Sequence, residues 1–348
     1  MKYYRPVPIK SDGHFYNQIV TTLLEKEGWH ALGFKFWRPY ELYRNRRKCQ
    51  MIHMHWPESF WRSESKIISQ IKAIWFQLIF YLSKPMGYKW GFYVHNVIPH
   101  YMVKLPNLER RMRLFILKNF DLIIGLAYNT KNDLELAFGT SGKKYVLCLH
   151  GSYVDSYPIT KSRKNFRKEY GVPPKAKVVL FMNNDIGRKN KGTNEFTDAL
   201  TKIAEMGDIH LLMTGSKPKE LEQLVKNQNF QFIDGRIPDE EMGSLLNSVD
   251  HLFLNYKSIT TSGMFFLSVA FNLPIIVPNL PFFRLHSSNK TSFFYNYNYP
   301  LDNQLKSIFN KINEGWIADD SEFEIMKADY NFERSAKINA KAFDEISY

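Results

Sequence analysis

Short apolar segments alternate along the chain with longer amphipathic stretches. The short segments are rich in β-branched and aromatic residues, which predicts strands. The longer stretches repeat apolar residues every three or four positions, which predicts helices. The stretch 14–26, for example, brings Phe15, Ile19 and Leu23 to one face and is followed by Gly28. This alternation is typical of β-α-β units and a mostly parallel sheet.

The predicted elements fall into two groups separated by a polar, proline-punctuated stretch at 151–175. The first group comprises strands at 51–55, 91–95, 121–126 and 145–149, and helices at 14–26, 67–82, 108–119 and 130–138. The second comprises strands at 177–182, 209–214, 230–234, 251–254 and 275–277, and helices at 193–206, 218–227, 239–247 and 263–271. The tail from 301 to 348 also has helical spacing. We therefore expect an α/β protein with two Rossmann-like domains. Their expected bounds are 1–155, a linker at 156–175, 176–330, and a terminal helix at 331–348 that packs back on the first domain.

Composition excludes several classes of protein. The chain has 348 residues and 44% apolar positions, enough for a buried core in each of two domains. Cys49 and Cys148 are too few for a disulfide framework, so we expect a reducing compartment. No secretory leader is visible at the start. The longest apolar run, 73–82, is shorter than the ~20 residues of a membrane-spanning helix.

The net charge of +13 favours an anionic partner. Basic residues cluster at 44–48, 110–113 and 161–168, so much of the positive charge lies in the first half. Each cluster could equally be an ordinary solvated face. No zinc finger, helix-turn-helix or RNA-binding aromatic signature accompanies them, and we therefore expect no nucleic-acid partner.

A glycine-containing basic turn follows the first strand of the second domain. It includes Gly187, Arg188 and Lys191 and precedes a predicted helix. Backbone N–H groups at a helix start, together with two cations, suit a pyrophosphate. The turn lacks the Gly-Lys-Ser/Thr ending of a Walker loop. The alternative is a solvated basic turn with no ligand.

Three consecutive hydroxyl residues follow the strand at 251–254. Thr260, Thr261 and Ser262 precede Gly263, where a helix is predicted to begin. Capping of that helix explains one of the hydroxyls. Because capping does not require three in a row, we expect the others to contact phosphate oxygens.

With these motifs the sequence resembles bacterial glycosyltransferases of the GT-B fold. The resemblance rests on the tandem layout, the Gly-Arg-x-x-Lys-Gly turn, the TTSGMFFLSVAFNLPIIVP segment, and the segments at 53–58, 95–100 and 150–153. The sequence is similar to glycosyltransferases of exopolysaccharide and lipopolysaccharide synthesis that are distantly related to the large retaining group of glycosyltransferases. The resemblance implies two Rossmann-like domains facing a cleft. It also implies a nucleotide-diphosphate sugar as donor in the second domain, a lipid-linked or oligosaccharide acceptor in the first, and no further cofactor.

One departure from the family pattern bears on mechanism. The large retaining group carries two glutamates eight positions apart where this chain has Ile259 and Leu267. Aliphatic side chains cannot bind a sugar hydroxyl or stabilise positive charge. Either other groups recognise the donor sugar, or the mechanism is different and inverting. For the second alternative, which we prefer, we expect direct displacement with no metal ion and with one general base near the acceptor hydroxyl.

The expected base lies in the first domain. The candidates are Asp12, Glu58 and His95, and Asp12 is preferred because the resemblance places its loop facing the donor. Asp12 could equally cap the first helix. Because side chains alternate along a strand, we expect at most one of His53 and His55 to face the cleft. The histidines lack the spacing of a metal centre, so no metal site is expected.

The predicted helix at 67–82 is unusually aromatic. It carries Trp75, Phe76, Phe80 and Tyr81 and lies near cations such as Lys72. Such a helix suits an anionic membrane surface, and it suits the core of the first domain equally well. Both interpretations hold if one stripe of the helix faces the core and another faces the membrane. We accordingly expect a cytoplasmic protein peripheral to the inner membrane.

Overall fold

A computed structural model describes residues 1–8, 15–98, 105–183, 200–201, 204, 209–215 and 227–347. The chain divides into two compact units. Residues Met1–Gly151 together with Tyr330–Tyr348 form the first unit, and Ser152–Asp329 form the second. Each unit contains one six-stranded sheet.

The first unit alternates strands and helices. Its strands are β1 (Lys2–Val7), β2 (Trp29–Ala31), β3 (Cys49–Met54), β4 (Lys89–Val94), β5 (Leu122–Gly125) and β6 (Tyr145–Leu147). Its helices are α1 (Phe15–Lys26), α2 (Pro39–Asn45), α3 (Lys66–Ser83), α4 (Pro106–Asn119) and α5 (Thr130–Phe138). The final helix of the chain, which we label α12 (Phe332–Ser347), packs against α1 and β3 in this same unit.

The first sheet is parallel and covered on both faces. Its order is β2-β1-β3-β4-β5-β6. Buried residues of α3 and α4 form one core cluster, and buried residues of α1 and α12 form another. The strand order reverses between β1 and β3, and in open α/β sheets such a reversal marks the ligand-binding edge. The carboxyl ends of β1, β3 and β4 are therefore the place to look for a site.

The second unit repeats the pattern. Its strands are β7 (Lys177–Asn183), β8 (Ile209–Gly215), β9 (Phe230–Asp234), β10 (His251–Phe253), β11 (Ile275–Pro278) and β12 (Ser292–Tyr295). Its helices are α6 (Arg163–Glu169), α7 (Asp239–Asn247), α8 (Gly263–Ala270), α9 (Pro281–His286), α10 (Leu301–Asn313) and α11 (Asp320–Asp329).

The second sheet has the order β9-β8-β7-β10-β11-β12, again with parallel pairing. This is the strand order of the dinucleotide-binding Rossmann fold, and its reversal lies between β7 and β10. Apolar residues of α10, among them Ile308 and Ile312, pack with β7 and β8 in the core. The segments that follow β7 and β10 therefore begin at adjacent positions on one edge.

Residues 156–175, which we expect from the sequence to form a linker, contain α6 and belong to the second unit. Arg167 is 2% exposed, donates from Nε to the Ser248 carbonyl at 2.8 Å and pairs with Asp250 at 3.0 Å. Burial alone would raise the pKa of Asp250, but the Val178 N–H and Arg163 hold it below its ordinary value. The basic run is thus partly buried here, because its cations neutralise a carboxylate at the start of β10.

The α/β class with parallel sheets is confirmed. The helices predicted at 193–206 and 218–227 lie largely outside the described residues. Three strands, β1, β2 and β12, are absent from the prediction. β1 has the sequence KYYRPV and is stabilised by pairing with β2 and β3. Its own polar and proline residues do not predict a strand, because this pairing is a non-local contact. No helix in the described part of the chain is long and apolar enough to cross a membrane.

Candidate active site

Three histidines lie just beyond strands of the first sheet. His55 follows β3, His95 follows β4, and His150 lies three positions after β6. Their rings surround Tyr16 in the first turn of α1, with centroid distances of 6.0, 5.3 and 4.4 Å respectively. We call His55, His95, His150 and Tyr16 the histidine cluster. Parallel pairing places the carboxyl ends of β3 and β4 side by side, which is why residues distant in sequence meet here.

Hydrogen bonds restrict the protonation of this cluster. His55 Nδ1 lies 3.0 Å from His95 Nε2, a bond that needs one donor and one acceptor, so at most one of the two rings is an imidazolium. His150 Nδ1 lies 2.7 Å from the Gly151 carbonyl and donates to it. Burial lowers the pKa of His150 to about 4, only partly offset by that carbonyl. At neutral pH His150 is therefore uncharged, and the His55–His95 pair carries at most one positive charge.

Side-chain alternation along β3 does not separate His53 from His55, of which the sequence leads us to expect that at most one faces the cleft. Residues two positions apart in a strand project to the same face, and the two rings lie 5.3 Å apart. Both rings contact Tyr93, at 4.1 and 4.5 Å. His53 is fully buried, and within the described residues its two ring nitrogens have no hydrogen-bond partner. Burial lowers its pKa well below the ordinary value.

Glu58 occupies a short turn, Pro57–Phe60, just after β3. Its Oε2 lies 3.7 Å from Nη2 of Arg113, whose side chain is 5% exposed and stacks over Phe92. A second pair, Arg62 with Glu109 at 2.7 Å, lies on the same elements. Glu58 thus has an electrostatic role in holding a buried arginine, whereas His95 lies in the histidine cluster. Asp12, the third predicted candidate, lies outside the described residues.

In the second unit, the segment after β10 leads into α8. Ser262 caps the helix, since its Oγ accepts from the Phe265 N–H at 3.2 Å, and it also contacts the Tyr256 hydroxyl at 3.2 Å. The capping role predicted as an alternative for one hydroxyl therefore belongs to Ser262. Thr260 is buried, at 6% exposure, beside the cap.

Thr261 differs from its neighbours. Its Oγ1 is shielded from solvent, and among the described residues it has no hydrogen-bond partner. A buried hydroxyl without a partner costs about 1–3 kcal/mol, so its retention calls for an explanation. Next to it, Gly263 is exposed, and a Cβ there would meet only the Tyr153 hydroxyl, at 3.9 Å. A shielded hydroxyl without a partner among the described residues is therefore adjacent to an open helix N-terminus in the segment that follows β10.

The predicted basic turn lies outside the described residues. Gly187, Arg188 and Lys191 fall in the range 184–199. β7 ends at Asn183, and β7 pairs directly with β10. Within the described ranges, no group of three or more His, Cys, Asp or Glu side chains is arranged to hold a metal ion.

Comparison with known proteins identifies the fold. No protein-family profile matches the chain, and no curated protein matches it in sequence. Among solved structures, Anabaena Alr3699/HepE in complex with UDP and glucose superposes with a TM-score of 0.70 at 13% identity, covering 99% of this chain and 100% of that one. The chain has the GT-B fold.

Two further GT-B structures cover nearly the whole chain. Sucrose-phosphate synthase from Thermosynechococcus elongatus has a TM-score of 0.67 at 14% identity, covering 96% of this chain and 93% of its own. WaaG, a glycosyltransferase involved in lipopolysaccharide biosynthesis, has a TM-score of 0.61 at 13% identity, covering 98% and 94%. The predicted GT-B fold is thus confirmed, while identities this low establish the fold alone.

Two tyrosines near the carboxyl ends of the strands are missing from the residues that the sequence predicts for the site. Tyr16 centres the histidine cluster, and Tyr153 places its hydroxyl near the N-terminus of α8. Tyr153 lies in the 150–153 segment that carries part of the family resemblance, which is the signal that could have found it. Tyr16 has no such signal, because its importance depends on strands β3, β4 and β6 meeting over α1.

Proposed function

We propose that this protein is a glycosyltransferase that transfers a sugar from a nucleotide-diphosphate sugar to a lipid-linked or oligosaccharide acceptor in surface-polysaccharide biosynthesis. The observation that supports the proposal is the Thr260–Gly263 segment, which follows β10, a strand at the switch point of the second sheet, and carries at Thr261 a buried hydroxyl with no partner among the described residues. Neighbouring structures were solved with UDP, UDP-glucose, or UDP and glucose, which supports a nucleotide-sugar donor.

In this proposal the second unit holds the donor diphosphate. Thr261 donates its hydroxyl to a phosphate oxygen, the N-terminus of α8 faces the anion through Gly263, and Ser262 keeps that terminus in place. Arg188 and Lys191 add full charges that stabilise the departing diphosphate. With these groups supplying the charge stabilisation, the reaction proceeds without a metal ion and with no further cofactor.

The first unit activates the acceptor. A neutral histidine removes the proton from the acceptor hydroxyl as that oxygen attacks the anomeric carbon, and the bond from that carbon to the diphosphate breaks on the opposite side, which inverts the configuration. Of the two described candidates, we favour His95 over Glu58, since Glu58 already neutralises Arg113. Asp12 remains a predicted base that the described residues do not address.

We further propose that the first unit docks on the cytoplasmic face of the inner membrane. One stripe of α3, with Ala73, Phe76 and Ile79, is buried, while the opposite stripe is apolar and exposed. That stripe and the adjoining α2 region form what we call the α2–α3 surface, which consists of Trp37, Tyr40, Tyr43, Ile67, Ile71, Ile74, Trp75, Leu78 and Tyr81. The exposed cations Arg38, Arg44 and Lys72 on the same elements suit anionic lipid.

A non-catalytic nucleotide-sugar-binding protein of the same fold is the second candidate. It is favoured by Ile259 and Leu267, the latter 6% exposed within α8, at positions where the retaining relatives carry glutamates. An assay of sugar release and transfer distinguishes the two. We expect turnover with one nucleotide sugar and a lipid-linked acceptor. Saturable nucleotide-sugar binding with no turnover on any lipid or glycan acceptor would favour the second candidate.

A further inference from the structure

A pocket of about 330 Å³ lies in the first unit beside the α2–α3 surface. Its deepest residues, Phe36, Phe76 and Ile79, are each at most 3% exposed and belong to the core. Its outer residues are exposed, and they are Trp37, Ser59, Lys72 and Trp75. The volume falls within the range of about 300–1,000 Å³ typical of small-molecule sites.

The lining favours a hydrocarbon occupant. Aromatic rings and Ile79 form most of it, and the Ser59 hydroxyl already donates to the Trp56 carbonyl at 2.9 Å. A sugar in this pocket would leave its hydroxyls without partners, which is costly. A chain of methylene or prenyl groups, in contrast, binds more tightly with every aromatic ring that it covers, because apolar surface is removed from water.

The outer residues connect the pocket to the proposed membrane surface. Trp37 and Trp75 belong to both, and the Trp75 Nε1–H donates to the Trp37 backbone carbonyl at 3.2 Å, which holds the Trp75 indole against the segment that carries Trp37. A chain leaving a bilayer below the α2–α3 surface would therefore reach the pocket without crossing polar protein surface. Lys72 adds a cation, and within the described part of the chain it forms no ion pair.

The pocket is also close in sequence to the acceptor residues. Ser59 and Phe60 lie in the Pro57–Phe60 turn that carries Glu58, directly after β3 and His55. One turn thus joins the lining of the pocket to the edge of the sheet where the acceptor is proposed to react. This continuity favours the lipid of the acceptor itself over an unrelated lipid of the bilayer.

We propose that this pocket holds part of the hydrocarbon chain of a phosphate-bearing lipid acceptor, with Lys72 facing its phosphate; the proposal rests on the function proposed above. The probe is farnesyl phosphate, a soluble prenyl chain with a phosphate head. Calorimetric titration of the full chain measures its affinity. Farnesol, inorganic phosphate and dihexanoyl phosphatidylglycerol are titrated in parallel.

Two variants at Ser59 form a matched pair. Ser59→Phe places a ring in the pocket, and we expect the affinity for farnesyl phosphate to fall by about tenfold or more, since apolar contact area is lost. Ser59→Ala leaves the space unchanged and should bind as the wild type does. Lys72→Gln should weaken farnesyl phosphate about fivefold and leave farnesol unaffected, because only the phosphate meets the ammonium group.

Equal affinity of Ser59→Phe and Ser59→Ala for farnesyl phosphate would overturn the proposal. So would dihexanoyl phosphatidylglycerol binding as tightly and competitively, because the occupant would then be a bilayer lipid. Should Ser59→Phe fail to fold, the Lys72→Gln comparison decides alone, and equal losses for farnesol and farnesyl phosphate would contradict the assignment.

Failure of this proposal is distinguishable from failure of the proposed function. Sugar transfer to a short soluble acceptor, with unchanged farnesyl phosphate affinity in Ser59→Phe, removes the pocket and keeps the enzyme. Specific farnesyl phosphate binding without turnover of any nucleotide sugar keeps the pocket and removes the enzyme.

Discussion

The ligand-binding edges of the two sheets differ in how their polar groups are satisfied. In the first unit, His55 and His95 bond to each other and rings pack against rings around Tyr16. In the second unit, the Ser262 hydroxyl is committed to capping α8, while Thr261 next to it has a buried hydroxyl with no partner among the described residues.

This difference indicates that the two edges have different functions. The hydrogen bond between His55 and His95 is formed without a ligand, so this pair is preorganised and can hold a neutral imidazole in one orientation for proton transfer. An edge that leaves a donor unsatisfied beside a helix N-terminus is incomplete until an anion arrives. This difference supports the proposal that the first unit activates the acceptor and the second binds the diphosphate.

The largest expected effect tests the second edge. Lys191→Ala removes a charge from the proposed diphosphate site, and we expect kcat to fall by about 10²–10³-fold with the fold intact, as when a transition-state stabiliser is lost. Lys177→Ala, an exposed lysine at the opposite, amino end of β7, is the matched control and should react as the wild type does. Steady-state rates with the donor measure both, and an unaltered kcat in Lys191→Ala would remove this residue from the site.

The first edge is tested by His95→Asn. Loss of a general base costs about a hundredfold or more in kcat, while donor affinity should stay unchanged because the donor is assigned to the other unit. Glu58→Gln provides the comparison. It should instead lower the free energy of unfolding by about 1–3 kcal/mol, since Arg113 would lose its buried carboxylate. A full rate in His95→Asn with a lost rate in Glu58→Gln would exchange the two roles.

Two neighbouring hydroxyls sharpen the comparison further. Thr261→Val should weaken nucleoside diphosphate binding about tenfold, or about 1.4 kcal/mol, without lowering stability, because its hydroxyl has no partner to lose among the described residues. Ser262→Ala should lower the free energy of unfolding by about 1 kcal/mol through loss of the cap. Urea unfolding and calorimetric titration separate these effects. Lower stability of Thr261→Val with unchanged nucleoside diphosphate affinity would show that Thr261 has only a structural role.

The last effect leaves ligand binding and catalysis untouched and concerns only the pH dependence of stability, through His251 in the second unit. Burial lowers the pKa of His251 to about 4, so the folded state resists a proton that the unfolded chain accepts below about pH 6.5. Stability is therefore lost as the pH falls from about 6.5 towards 4. His251→Leu should reduce the loss between pH 7 and pH 5 by about 2 kcal/mol, as urea unfolding at the two pH values would measure. An unchanged loss would mean that His251 does not resist protonation in the folded protein.

Much of the fold was predictable because hydrophobic spacing is local. The strands β4, β8 and β10 are recognisable in the sequence as apolar runs. The cap of α8 was predicted for one of the adjacent hydroxyl residues, and Ser262 provides it. β1 was not predictable, since its stability comes from two neighbouring strands rather than from its own residues.

The site was predictable in its residue types and not in its contacts. His95 and Glu58 both follow strands, but only the structure shows one within a ring cluster and the other beside a buried arginine. The pairing of His55 with His95 depends on β3 and β4 being neighbours, which sequence spacing does not specify. The pocket at Ser59 likewise depends on α2 and α3 packing together.

The most direct test of the central claim is a thermal-unfolding panel with UDP, GDP, CMP and ADP on the wild type, Thr261→Val and Ser262→Ala. A ligand that binds only the folded state raises the Tm by an amount that grows with the logarithm of its concentration relative to its Kd. We predict that one nucleoside diphosphate gives a saturable rise, that Ser262→Ala keeps most of the rise from a lower starting Tm, and that Thr261→Val loses most of it. No shift with any of the four nucleotides, at concentrations up to the millimolar range typical of weak substrates, would contradict the assignment of the second unit to the donor.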